Sequence, residues 1–176
     1  MSDKIKIASI IAESIVDGPG LRLVVFTQGC YHKCPGCHNP DTHDPNKGKL
    51  VDIEDILDKI CNNPLLDGVT FSGGEPFLQA DALGTLGIKI KEKRPELNII
   101  TYTGYTFEEL QDYVNRTQSL SYLKLLRVTD FLIDGKFEED KKSLDIKFRG
   151  STNQRYLNMK ESLKRQEPVN VPEEEI

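Results

Sequence analysis

At 176 residues, with 38% apolar and 29% charged residues, the chain is expected to form one soluble domain with a sizeable core. A net charge of −5 argues against broad nucleic-acid binding, which needs a basic face to neutralise phosphates. No run approaches the roughly 18 uninterrupted apolar residues of a membrane span, and charges at Asp3, Lys4, Lys6 and Glu13 break up the N-terminus, so neither a span nor a signal peptide is expected and a cytoplasmic location is.

Along the chain, "LRLVVFT" (Leu21–Thr27) follows the turn signal "DGPG" and is rich in β-branched and large apolar residues, which predicts a buried strand. "DIEDILDKI" places Ile53, Ile56, Leu57 and Ile60 at helical spacing, with Asp52 as its N-cap. "GVTFSGGEP" reads as a short strand ending in a glycine turn, and apolar residues recur at helical intervals from Ala80 to Arg94, where Pro95 stops them. "LNIITYTGY" is the next strand, and "TFEEL" opens a helix to about Asn115 through a capping box of Thr106 and Glu109. Leu120–Arg127 is ambiguous between helix and strand, "TDFLIDG" is one more strand, and a last helix is expected around Arg155–Arg165. The tail "EPVNVPEEEI" (167–176) mixes prolines with acidic residues and is expected to be disordered.

Alternating strands and helices predict an α/β fold with a mainly parallel sheet. About four strand–helix units are too few for a closed eightfold barrel, which takes about 250 residues, so any barrel must be incomplete. Reactive groups in such folds gather beyond the C-terminal ends of the strands. "GCYHKCPGC" and "SGGEP" both fall there.

Three of the four cysteines, Cys30, Cys34 and Cys37, lie within eight residues. In a reducing compartment such a cluster favours metal or redox chemistry over a structural disulfide. Zinc, closed by His32, His38 or His43, and an iron–sulfur cluster are equally open on the cysteines alone. A cluster of four irons normally takes four thiolates, so three would leave one iron with open coordination for a small molecule. Cys61 falls on the apolar side of its helix and reads as a small buried hydrophobe. His32 and His43 read as surface residues.

The spacing C-x3-C-x2-C followed by the glycine-rich Ser72–Pro76 resembles the radical S-adenosylmethionine (SAM) enzymes, and that resemblance implies an incomplete barrel in which SAM completes the open iron. "DGPGLRLVVFTQGCYHKCPGCHNPDTHD", "SGGEP", "TYTGYTFEEL", "IDGKF" and "FRGSTNQR", in that order, are similar to the activating proteins of anaerobic ribonucleoside-triphosphate reductase, from about Asp17 to Arg155. Gly36 departs from the aromatic residue that many radical-SAM enzymes carry before the third cysteine, but fits the "CPGC" form of this family.

The resemblance implies a single radical-SAM domain over residues 1–166 and a 4Fe–4S cluster on Cys30, Cys34 and Cys37. It implies a SAM site at Gly36, Cys37 and His38, with Gly73 and Gly74 at the methionyl end. It further implies that SAM cleavage yields a 5′-deoxyadenosyl radical, which makes a glycyl radical on the large reductase subunit. A donor such as flavodoxin would supply the electron. Activation of another glycyl-radical enzyme, such as pyruvate formate-lyase, is the neighbouring reading, and a non-enzymatic zinc module the remote one. Glu75 either adds a charge or holds the glycine turn. Thr103 and Gly104 either border the SAM pocket or form an ordinary turn, and Asp134 and Lys136 either face the active mouth or form a solvated turn. Arg149, Asn153 and Gln154 either lock the last loop or touch the reductase.

Overall fold

In the computed structural model, which describes residues 3–176, the β-branched runs become seven strands of one sheet. They are β1 (Lys4–Ser14), β2 (Arg22–Thr27), β3 (Lys49–Asp52), β4 (Gly68–Gly73), β5 (Asn98–Tyr102), β6 (Phe131–Asp134) and β7 (Arg155–Asn158), in the spatial order β3-β1-β2-β4-β5-β6-β7. The centre, β2-β4-β5-β6, is parallel throughout, with Arg22 opposite Gly68 and Thr27 opposite Gly73 in the β2–β4 pair. Both flanks are antiparallel, through β1 with β2 and β3 and through β6 with β7. The sheet is therefore mixed rather than mainly parallel. It stays open, since β3 and β7 end it on opposite sides.

Strand alternation sends Leu23, Val25, Val69, Phe71, Ile99, Leu132 and Leu157 into the larger core. There they meet the apolar faces of α1 (Ile53–Cys61), α2 (Ala80–Lys93), α3 (Phe107–Thr117), α4 (Leu120–Val128) and α5 (Met159–Arg165). Gly87 in α2 lets α4 approach, because a Cβ there would stand 2.5 Å from Val128 Cγ2. The opposite face carries a smaller cluster of Ile100, Ile133 and Tyr156, joined by Tyr102, Phe131, Phe148, Val171 and Ile176. Arg22 is wholly buried. Its guanidinium donates to Thr70 Oγ1 (2.7 Å), Pro19 O (3.0 Å), Val69 O (2.9 Å) and Asn98 O (3.2 Å), which ties the "DGPG" turn to β4 and β5. Burial pushes its pKa down to about 10.

The capping box of Thr106 and Glu109 is present at α3 as expected. Asp52 does occupy the N-cap of α1, but its side chain makes no cap bond and stands 3.8 Å from Lys4 Nζ. Leu120–Arg127 resolves as helix, opened by Ser119, whose side chain accepts from Tyr122 N–H. β1 and β3 were not anticipated. Most of β1 faces solvent and only Ile5 and Ile7 enter the core, so alternation is weak there.

The helix expected from Arg155 starts later. Arg155–Asn158 pairs with β6 first, because Tyr156 and Leu157 serve opposite faces of the sheet, and α5 begins behind an Asn158 cap that accepts from Glu161 N–H. The tail read as disordered lies along β7. Asn158 N–H donates to Val169 O (2.9 Å) and Val171 N–H to Tyr156 O (2.8 Å), satisfying an edge that would otherwise be unpaired. No helix among the described residues is long and apolar enough to cross a membrane.

Candidate metal centre

The cysteine loop leaves the C-terminal end of β2 with a firm base. Gly29 N–H donates to Thr42 O (2.7 Å) and Cys30 N–H to His43 O (3.0 Å), so the returning segment pairs with the departing one. The buried Gln28 amide closes the base by donating to Asp41 O (2.9 Å) and Asp44 O (2.8 Å). At the tip, Cys37 N–H donates to Cys34 O (3.1 Å), and Asn39 N–H points to Cys37 Sγ at 3.4 Å. His38 is exposed and faces the Phe137 ring, centroid to centroid 4.9 Å.

The glycine pair after β4 lies directly against this base. Gly74 N–H donates to Thr27 O and Glu75 N–H to Gly29 O, both at 2.8 Å. Gly73 has φ +94°, and a Cβ on Gly74 would stand 2.2 Å from Gly29 O, so neither position admits a side chain.

Glu75 is the hub of the site and is 1% exposed. One carboxylate oxygen accepts from Phe77 N–H (3.0 Å) and Thr103 Oγ1 (2.9 Å). The other accepts from Gly104 N–H (2.9 Å) and stands 2.8 Å from His32 Nε2. A buried charge is tolerable only when so satisfied. Glu75 therefore holds its turn, and it also joins β4, the turn after β5 and the cysteine loop. His32 is not a surface residue: its side chain is largely buried, bonded to Glu75 and set edge-on to Tyr105 at 4.5 Å. Nothing in the sequence distinguishes it from the exposed residues beside it. Thr103 and Gly104 are drawn in by the same carboxylate. His43 is half-buried and takes part through its carbonyl.

Asp134 is no solvated turn. It is 1% exposed, accepts from Phe107 N–H (2.7 Å) at the start of α3, and receives Arg155 on both oxygens (2.9 and 2.5 Å). The Arg155 guanidinium also reaches Glu108, and the two carboxylates raise its pKa further above its ordinary value. Lys136 is exposed and lines a cavity of about 730 Å3 with His32, Cys34, Pro35 and Phe137. Gln154 locks the last loop by accepting from Gly150 N–H (2.8 Å) and donating to Gly135 O (2.9 Å). Asn153 donates to Lys136 O (2.8 Å), and Arg149 pairs with Glu173 of the tail.

Cys30, Cys34, Cys37 and Cys61 are all free thiols, and Cys61 packs against the core as expected. Burial pushes the Cys30 and Cys34 thiols up, and at Cys34 it outweighs the opposing pull of the Lys136 charge. Among the described residues no three ligating side chains form a preassembled cage. The donor set still fits an iron–sulfur cluster: three soft thiols share one loop, with a backbone N–H already directed at one sulfur.

The 4Fe–4S single cluster domain family matches residues 16–157. Three thiols beyond a parallel strand, within that match, define a protein of the single-cluster iron–sulfur class, and the zinc module falls away. The anaerobic ribonucleoside-triphosphate reductase-activating protein of Enterobacteria phage T4 is 33% identical over 144 residues, covering 80% of this chain and 85% of the phage protein. Its counterpart from Escherichia coli K12 is 32% identical over 146 residues, covering 80% and 90%. The pyruvate formate-lyase-activating enzyme of Clostridium pasteurianum is 38% identical over 130 residues, but covers 71% of this chain and only 54% of its own. The chain belongs to the family of the anaerobic ribonucleoside-triphosphate reductase-activating proteins, radical-SAM enzymes of the single-cluster class.

Proposed function

We propose that this chain activates an anaerobic ribonucleoside-triphosphate reductase by generating a glycyl radical on its large subunit. Cys30, Cys34 and Cys37 hold one 4Fe–4S cluster as thiolates. SAM binds beside it, with the bare backbone of Gly73 and Gly74 at its methionyl end and Gly36, Cys37 and His38 at its adenosyl end. The bound cofactors supply the chemistry: one electron splits the S–C5′ bond of SAM, giving methionine and a 5′-deoxyadenosyl radical that takes a hydrogen atom from a glycine of the partner. A flavodoxin-type donor supplies that electron, and residues 1–166 act as one domain.

What the chain itself contributes is position. Gln28 and the returning segment 39–44 fix where the cysteine loop leaves the sheet. Glu75 fixes that loop against the turns after β4 and β5. The observation that supports the reading is this junction, where the base of the loop carrying three free thiols lies against a glycine pair closed to side chains, at the ends of two adjacent parallel strands. An open sheet also suits a protein substrate, since a loop from a partner can enter where a closed barrel would exclude it. The reductase is favoured over formate-lyase because the reductase activators match 80% of this chain and the formate-lyase activator 71%.

The test is to load the protein with iron and sulfide without oxygen, reduce it, and add SAM with either partner. A glycyl radical doublet in the electron paramagnetic resonance spectrum of the reductase is expected. A doublet on formate-lyase with none on the reductase overturns the substrate assignment.

A further inference from the structure

Gly36 adopts φ +72°, and a Cβ there would stand 2.9 Å from Glu139 Cδ. Its left-handed backbone keeps the position before the third thiol bare, and the flexible end of Glu139, from the segment that follows β6, lies over it. That segment brings Phe137 with it. The Phe137 ring stands 4.9 Å from the His38 ring with their planes at 46°. Phe137 also lines the same cavity of about 730 Å3 as Cys34 and Pro35, a volume in the range of small-molecule sites.

The segment is held from behind. A Cβ on Gly150 would stand 2.9 Å from Phe137 Cδ2, so the Gly150 backbone packs on the ring. Glu138 N–H donates to Ser151 Oγ (3.1 Å), Asn153 Nδ2 to Lys136 O (2.8 Å) and Gln154 Nε2 to Gly135 O (2.9 Å). "FRGSTNQR" thus clamps "IDGKF", and the Phe137 ring is presented rather than free to wander.

We propose that Phe137 is a positioning residue for SAM, its ring forming with His38 an aromatic wall for the adenine and replacing, from a different loop, the side chain that Gly36 lacks. This rests on the SAM reading above. A flat π-face is the complement of a purine, and its removal weakens binding on the order of ten-fold or more.

The test uses the full chain, iron-loaded without oxygen, titrated with SAM by calorimetry. Phe137→Ala and Phe137→Leu should each keep the wild-type iron content and bind SAM roughly ten-fold more weakly, while Phe137→Tyr should stay within about two-fold of wild type. Affinity for SAM within two-fold of wild type in both Ala and Leu variants overturns the proposal and leaves the SAM reading standing. Loss of iron from every variant also overturns it, by assigning Phe137 to packing of the cysteine loop. Failure of the wild-type, iron-loaded protein to bind SAM overturns the SAM reading itself.

Discussion

Glu75 and Asp134 occupy corresponding places, each just past or at the C-terminal end of a parallel strand, and each is 1% exposed. Their partners differ. Asp134 meets a cation, Arg155, on both oxygens, and pins the start of α3. Glu75 meets two backbone N–H groups, a hydroxyl and an imidazole, and one of these partners, His32, belongs to the cysteine loop. One carboxylate closes a structural clamp on the helix side of the sheet. The other ties three loops together around the metal site, with no lysine or arginine among its partners. Burial alone therefore does not tell a framework carboxylate from a site carboxylate; the loops that satisfy it do.

The largest effect should come from the ligands themselves. Cys34→Ala should abolish iron retention and SAM cleavage, while Cys61→Ala should leave both close to wild type, by iron assay and methionine release. Iron lost from Cys61→Ala would unseat the ligand assignment. Next, Glu75→Gln turns an acceptor toward donors and should cost about 3–4 kcal/mol in denaturant unfolding of the metal-free protein. It should also lower iron retention severalfold, since His32 loses its anchor.

Asp134→Asn should cost a similar or slightly smaller amount, about 3 kcal/mol, because Arg155 is left with Glu108 alone. Its iron content should stay normal, and parallel iron loss in both carboxylate variants would erase the distinction between them. The smallest effect belongs to Arg149→Ala, which releases the exposed Glu173 carboxylate from its ion pair and should cost about 1 kcal/mol. Faster proteolysis of residues 167–176 is the sign that the tail has left β7; an unchanged rate would mean that Val171 and Ile176 hold it without the ion pair.

Periodicity and punctuation made much of the fold legible. The capping box at Thr106 and the stop at Pro95 are local signals, and they stand where they were expected. β1 and β3 were illegible because they bury little: a strand with one solvated face and short apolar content resembles a loop. The first turn of the expected last helix became β7 because pairing with β6 outweighed local preference. At the site, the thiols and glycines were legible from spacing. His32 and Phe137 were not, since each matters through a partner at least 43 and 99 residues away in sequence, Glu75 and His38 respectively.

The sequence by itself determined the chemistry of the donors: three thiols within eight residues and a glycine pair are properties of covalent order, and no folding could supply them elsewhere. Only the tertiary structure decided which other residues attend them. His32 and Thr103 share the Glu75 carboxylate because adjacent parallel strands end side by side, and Phe137 meets His38 because the chain after β6 folds over the cysteine loop. Such meetings depend on strand order, and strand order is set by burying both faces of the sheet at once.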